Sequence, residues 1–256
     1  MRLLEGKTGL VLGVANDHSL GWAIARAAAQ HGARVGLNYH DDRLLRRVKP
    51  LADSINAALL APCDVTDEAG VDAFFSRAAD VFEGHLDFVV HSLAFADRDD
   101  LLGRFVDTKR AGHALAMDVS AYSLTALARR AAPLMGGGGS ILTLTYYGAE
   151  KAMPGYGVMG VAKAALEASV RYLAVDLGMA GIRVNAISAG PVRTLAAAGI
   201  PGFRDMLRAA ADKAPLKRNV TPGEVGEAGV FLLSDMSSGI TGEVLHVDAG
   251  YHAVGI

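Results

Sequence analysis

Short apolar runs alternate with helix-forming segments along the whole of this chain, and that alternation restricts the fold more than any single motif. Thr8 to Ala15 (TGLVLGVA), Ala33 to Tyr39, Ala57 to Ala61, Leu86 to His91, Ser140 to Tyr146, Ile182 to Ile187 and Gly242 to Val247 read as strands. The first is apolar nearly throughout, the pattern of a strand buried on both faces. Between them, Leu20 to His31, His40 to Ile55, Asp67 to Glu83, Asp118 to Met135 and Tyr156 to Gly178 read as helices. Gly32 ends the first of these and Pro50 is expected to break the second. Thr221-Pro222-Gly223-Glu224 opens a last helix, with Thr221 as N-cap, Pro222 at the first helical position and Glu224 completing a capping box. Strands that alternate with helices in this way build a parallel sheet through right-handed crossovers. The expected class is therefore α/β: one domain over residues 1–256, a doubly wound parallel sheet with helices on both faces.

Other stretches serve this frame. Asp97 to Thr108 reads as a charged connector, and Gly136 to Gly139 as a flexible turn with no chemistry of its own. A hydrophobic content of 51% excludes disorder as a whole, and a net charge of −2 offers no basic field for nucleic acid or an anionic membrane. Cys63 is the only cysteine, so no internal disulfide forms, which fits a reducing cytoplasm. The start of the chain lacks the long apolar region of a signal peptide, and no run of about 18 apolar residues is present to span a membrane.

In an open parallel sheet, ligands collect beyond the C-terminal ends of the strands. Gly13 ends the first strand, and Ser19, Leu20 and Gly21 open the next helix. A glycine there lets backbone approach a pyrophosphate, whose charge the helix N-terminus favours; ordinary turn chemistry gives the same residue. The spacing is not GxGxxG. Past the second strand come Asn38-Tyr39-His40-Asp41-Asp42-Arg43, where an adenine-side ribose belongs. Two carboxylates disfavour a 2′-phosphate, which points to NADH ahead of NADPH; Arg43 or a protonated His40 would reverse this, and Asp41-Asp42 serves equally as a helix cap. Asp64 and Val65 follow the third strand and fit an adenine or a cap. Ser92 and Leu93 follow the fourth and fit a cofactor ribose. All these positions fall on one edge of the sheet.

The fifth strand runs into Tyr146-Tyr147-Gly148-Ala149-Glu150-Lys151-Ala152-Met153-Pro154-Gly155-Tyr156 and on to Lys163. Tyr156 and Lys163 are seven residues apart, which places them on one helical face about 10 Å apart along the axis. A phenol beside an ammonium suits proton donation or oxyanion stabilisation. Taken alone, a strand-end tyrosine and a solvated lysine explain the same residues.

Gly13 with Ser19, Asp64-Val65, Ser92-Leu93, Tyr146, Tyr156, Lys163 and Ser188-Ala189-Gly190-Pro191-Val192-Arg193-Thr194 together resemble the short-chain dehydrogenase/reductase superfamily. Within it, the chain is most similar to the bacterial enoyl-acyl-carrier-protein reductases. The ordinary superfamily pattern has a tyrosine four residues before the lysine and a serine thirteen before that tyrosine; here those positions hold Met159 and Tyr146, and the tyrosine is Tyr156. Leu142 to Glu150, Val158 to Ala164 and Gly242 to Asp248 extend the likeness.

The resemblance implies a Rossmann-like fold with a substrate-binding lid near residues 194–213. It implies hydride transfer from NADH to the β-carbon of a trans-2-enoyl thioester on an acyl carrier protein. Tyr156 would donate to the thioester oxygen, where negative charge develops. Lys163 would hold the nicotinamide ribose and lower the Tyr156 pKa, and Tyr146 would line the pocket and assist protonation as a third catalytic residue. Val192 and Thr194 would meet the cofactor. Ala96, Ala196, Ile200, Phe203 and Met206 would meet the acyl group. Arg204 and Arg208 would supply a basic rim for the acidic carrier, with Pro201 and Asp205 standing where more lysine is expected. His40 departs from the amide frequent at its position. The helix from Tyr156 is apolar nearly all round, which with the family habit implies a homotetramer. His91 and His246 read as structural, Trp22 as core, and no spacing of His, Cys, Asp and Glu reads as a metal site.

Overall fold

The computed structural model describes residues 2–194 and 202–255. Strands β1 (Thr8–Leu12), β2 (Arg34–Tyr39), β3 (Leu59–Pro62), β4 (Phe88–His91), β5 (Gly139–Thr145), β6 (Ile182–Ala189) and β7 (Val244–Val247) form one sheet in the order β3-β2-β1-β4-β5-β6-β7. Every neighbouring pair is parallel. The helices are α1 (Leu20–Gln30), α2 (Asp42–Ser54), α3 (Glu68–Val81), α4 (Arg98–Leu102), α5 (Arg110–Met117), α6 (Ser123–Ala131), α7 (Gly157–Gly178), α8 (Phe203–Lys213) and α9 (Pro222–Leu233).

The core lies in two layers, one on each face of the sheet. On one face Val11, Leu37 and Val90 pack with Trp22, Ile24 and Ala28 of α1, Val48 of α2 and Val230 of α9. On the other, Leu10, Leu12, Val89 and Ile141 pack with Phe74 of α3, Leu127 of α6 and Leu166 and Val170 of α7. A strand buried on both faces needs apolar residues at both parities, which is why these runs do not alternate. Trp22 is core, as expected.

The strand order reverses between β1 and β4. Chains leave the two strands in opposite directions there, and a crevice opens at their C-terminal ends. Gly13 and Ser92 flank that crevice.

Local chemistry explains most element ends. Asp41 caps α2 by accepting from Leu44 N–H at 2.7 Å, and Asp67 caps α3 through Ala69 N–H at 3.1 Å. Thr221 and Glu224 form the reciprocal capping box on α9.

Four expectations are corrected. Pro50 does not break its helix: α2 continues to Ser54, because Pro50 and Arg46 are exposed and water can take the carbonyl that proline leaves without a donor. The connector 97–108 holds α4 and a 3₁₀ turn, Phe105–Asp107. The following helix starts at Arg110 instead of Asp118 and crosses a π turn, Asp118–Tyr122. That turn aims side chains back at the β4 end: Ser120 Oγ lies 3.0 Å from both Phe95 N and Phe95 O, and Ser123 Oγ 2.8 Å from His91 Nε2. Gly139 belongs to β5, not to a loose turn.

Candidate active site

The crevice between β1 and β4 is shaped by Gly13. Its φ is +97°, and a Cβ there would overlap the Ser92 carbonyl. Gly13 N–H donates to Asn38 Oδ1 at 2.8 Å, and Asn38 Nδ2 donates to the Cys63 carbonyl at 3.1 Å. One buried amide thus ties together the ends of β1, β2 and β3. Leu93 and Val65 pack against the core below, and Leu20 is half-buried at the start of α1. Ser19 is the N-cap of that helix, with its hydroxyl donating to Asn16 O at 2.6 Å. Holding a phosphate would require that proton to turn away from Asn16.

At the neighbouring edge, His40 Nε2 lies 3.2 Å from Asp64 Oδ2, and Nδ1 lies 3.7 Å from Asp41 Oδ2. Burial pushes the Asp64 carboxyl up, but hydrogen bonds from the Thr66 N–H and hydroxyl, with His40 beside them, outweigh it and hold it below the usual range. Asp41 both caps α2 and flanks His40, so its two readings coexist. The histidine is therefore bracketed by two carboxylates.

The second cluster lies where β5 meets α7. Tyr156 is the N-cap residue of α7 and is buried with Met159 and Ala162, while Ala96, Tyr146 and Met153 pack around them. A Cβ on Gly148 would overlap the Tyr156 ring, so the glycine is what seats it. Lys163 is also buried and donates to the Leu144 carbonyl of β5 at 2.8 Å. Burial brings the Lys163 ammonium down to about 8, with Glu167 working against it. Burial pushes the Tyr156 phenol well above its ordinary value, reinforced by Tyr146 and Glu167. The expectation that Lys163 lowers this phenol is not met: desolvation dominates and keeps Tyr156 a neutral donor.

Tyr146 is pushed up to about 12 by burial, then by Tyr251. Its hydroxyl donates to Met206 Sδ at 3.3 Å, which brings α8 over the β5 end. Phe203, half-buried, opens that helix. Ala196 and Ile200 lie outside the described residues. Beyond β6, Val192 is buried and Thr194 half-buried. Arg204 and Arg208 are exposed on α8, with Arg208 Nη2 3.0 Å from Asp205 Oδ1.

A model of the family described as enoyl-(acyl carrier protein) reductase matches residues 13–252. The chain belongs to that family. A Rhizobium meliloti enoyl-[acyl-carrier-protein] reductase [NADH] is 59% identical, covering 99% of this chain and 93% of that protein. An Anaplasma phagocytophilum enoyl-acyl-carrier-protein reductase solved with NAD is 55% identical, with a TM-score of 0.96 over 99% of this chain and 97% of that one. A Bacillus cereus enoyl-acyl carrier protein reductase solved with NADP+ and an indole naphthyridinone is 52% identical, with a TM-score of 0.97 and full coverage of both chains.

Some residues of this enoyl reductase site escape sequence reasoning. Asn38 carries one signal, a polar amide inside an apolar run. Glu167 accepts from Thr145 Oγ1 at 2.7 Å and is buried one turn past Lys163. Its signal is the spacing of four on a helix. His246, which reads as structural in the sequence, has Glu150 Oε1 at 2.7 Å from its Nε2 and stacks on His252 at 3.9 Å. His252 Nδ1 lies 3.0 Å from the Asp248 carboxylate. The Glu150–His246 pair spans 96 residues, so no local spacing encodes it. His91 is structural as expected: it is buried between Thr143 and Ser123, and burial followed by the Lys163 charge brings it to about 3. Among the described residues no cluster of His, Cys, Asp and Glu could hold a metal, and no helix is long and apolar enough to cross a membrane.

Proposed function

We infer that this chain reduces the trans-2 double bond of enoyl thioesters carried on an acyl carrier protein, the last reductive step of the fatty-acid elongation cycle, with NADH as cofactor. The observation that carries the reading is that Tyr156, at the N-cap of α7, and Lys163, bonded to Leu144 of β5, are both buried, with apolar Met159 where the ordinary superfamily pattern has a tyrosine.

The residues present fit the cofactor. Gly13, which tolerates no side chain, leaves backbone bare beside the N-terminus of α1, where Ser19 and Leu20 would hold a pyrophosphate. Asp64 and Val65 would meet the adenine, and His40, set between two carboxylates, would meet a ribose that carries no 2′-phosphate. Ser92, Leu93, Lys163, Val192 and Thr194 would line the rest. When bound, NADH supplies the hydride.

Reduction at the β-carbon leaves negative charge on the thioester oxygen. Tyr156, kept neutral by burial, donates a hydrogen bond to that oxygen, where charge develops in the transition state. Lys163, when protonated, contributes a cation and holds ribose hydroxyls. Tyr146 and Met206 would close the pocket over the acyl chain, with Ala96 and Phe203 as further walls and α8 as part of the lid. Arg204 and Arg208 on α8 face the acidic carrier protein.

The reading extends to the assembly. It treats 1–256 as one domain in a cytoplasmic homotetramer. Val161, Tyr172 and Val175 of α7, with Met179 at its C-cap, leave an apolar stripe exposed on the isolated chain, Met179 being 99% exposed, which supports burial against another subunit. Cys63, buried and brought up to about 12 by burial and then by Asp64, is an unreactive thiol suited to a reducing compartment.

The test is absorbance of the reduced nicotinamide with a trans-2-enoyl-CoA, a trans-2-enoyl carrier protein and a ketoacyl-CoA, each with NADH and NADPH. Oxidation of NADH by the enoyl substrates alone supports the reading. Turnover of the ketoacyl substrate alone supports a carbonyl reductase of the same superfamily. Cofactor binding with no turnover of any of them would leave a nucleotide-binding regulator.

A further inference from the structure

Lys163 poses a physical problem. Its side chain is almost fully buried, yet it must carry a proton to serve as a cation in the site. The Leu144 carbonyl, at 2.8 Å from Nζ, satisfies one of its three N–H donors but supplies no charge. His91, which faces it from β4, is buried and neutral. The compensating charge has to come from elsewhere.

We propose that Glu167 is a positioning residue for the reaction: its buried carboxylate, one helical turn beyond Lys163 and fixed by the Thr145 hydroxyl, keeps the Lys163 ammonium charged. Residues four apart on a helix lie on the same face, so Glu167 sits behind Lys163 on the buried side of α7. Thr145 Oγ1 donates to Glu167 Oε1 at 2.7 Å, a contact that favours the ionised carboxyl and fixes its distance from the lysine.

The other groups around Glu167 fit this role. Glu150, in the turn after β5, repels it, but Glu150 is itself engaged by His246 of β7 at 2.7 Å. His246 and Arg171, one turn further along α7, both favour the charged form of Glu167. Burial raises its carboxyl from the ordinary value, and these contacts oppose that rise. Lys163, at about 8, titrates close to neutrality, so the loss of one nearby negative charge changes how much of it is protonated.

The proposal rests on the reading of Lys163 as a cation in the enoyl reductase site. Its test is the pH dependence of kcat/KM for NADH, which reports the free enzyme. Wild type, Glu167→Gln, Glu167→Asp and Thr145→Val are compared. Wild type is expected to lose activity as pH rises through about 8, because Lys163 sheds its proton there. In Glu167→Gln that alkaline limb moves down by about one pH unit, giving roughly fivefold less activity at pH 8 and little loss at about pH 6. The acid limb stays where it was. Thr145→Val moves the limb the same way by less, and carries the test if Glu167→Gln folds poorly. Glu167→Asp brings the limb back toward wild type. A uniform loss in Glu167→Gln with its limb unmoved overturns the proposal and leaves Glu167 as packing. A wild-type profile flat from about pH 7 to pH 10 overturns the Lys163 reading itself, and the proposal with it.

Discussion

The rings of Tyr146 and Tyr156 meet edge to face, with centroids 5.0 Å apart and planes at 76°. This contact joins the end of β5 to the start of α7. An aromatic pair of this kind contributes about 0.5–1.5 kcal/mol beyond its buried area. It also separates two roles. The Tyr146 hydroxyl is turned to Met206 on α8, while Tyr156 lies among Met159, Ala162 and Ala96.

Tyr156→Phe keeps the ring packing and removes the donor. Turnover of an enoyl thioester is expected to fall by about 10²-fold or more, with NADH affinity within about twofold of wild type. Steady-state kinetics and fluorescence titration of NADH check the two halves. Unchanged turnover removes Tyr156 from the chemistry.

Met206→Ala opens the contact between α8 and Tyr146. On the proposed reading Met206 would bind the acyl chain in the ground state and transition state alike, so KM should rise severalfold for a long-chain enoyl-CoA, with a smaller change in kcat. A short-chain enoyl-CoA should be affected less. Equal effects on both chain lengths would place Met206 outside the acyl pocket.

The sequence and structure agree best where a pattern is local. The alternation of strands and helices, the capping box at Thr221 and Glu224, and the glycine at the end of β1 all act within a few residues, so each leaves a local trace. The tyrosine displaced to Tyr156 is likewise a matter of spacing to Lys163. What was not legible depends on partners far apart in the chain. Glu150 and His246, or Asn38 and Cys63, meet only because parallel strands bring their C-terminal ends to one edge. Pro50 reads as a breaker because sequence does not show that its helix face is solvated. The rise of the Tyr156 phenol, against an expected fall, follows from burial by Met159 and Ala162, which no charge pattern records.

Lys163 also links stability to pH. Its folded value of about 8 lies below the ordinary 10.5. Between those values the unfolded chain holds a proton that the folded chain has lost, so the stability it contributes rises with pH across that window. Below about 8 the buried charge is a constant penalty of roughly 3 kcal/mol at most. Lys163→Met has no such group. Urea unfolding of both proteins should show the wild type gaining on the variant as pH goes from about 8 to 10.5. A difference that is flat with pH contradicts the buried, titrating lysine.

On the proposed reading His40, between Asp41 and Asp64, would face the adenine-side ribose and weigh on the cofactor preference. His40→Arg places a permanent cation with a forked donor set at that edge, which suits a 2′-phosphate. The ratio of kcat/KM for NADPH over NADH should rise about tenfold or more, most of it through KM. A ratio that does not move would put the adenine-side ribose elsewhere.

The most direct measurement is the destination of the transferred hydrogen. The enzyme is run with NADH deuterated at the reactive nicotinamide carbon and a trans-2-enoyl thioester, and the acyl product is analysed by mass spectrometry and NMR. The account predicts one deuterium, at the β-carbon of a saturated acyl thioester. Deuterium on the carbonyl carbon, or an acyl product that carries none, would contradict it.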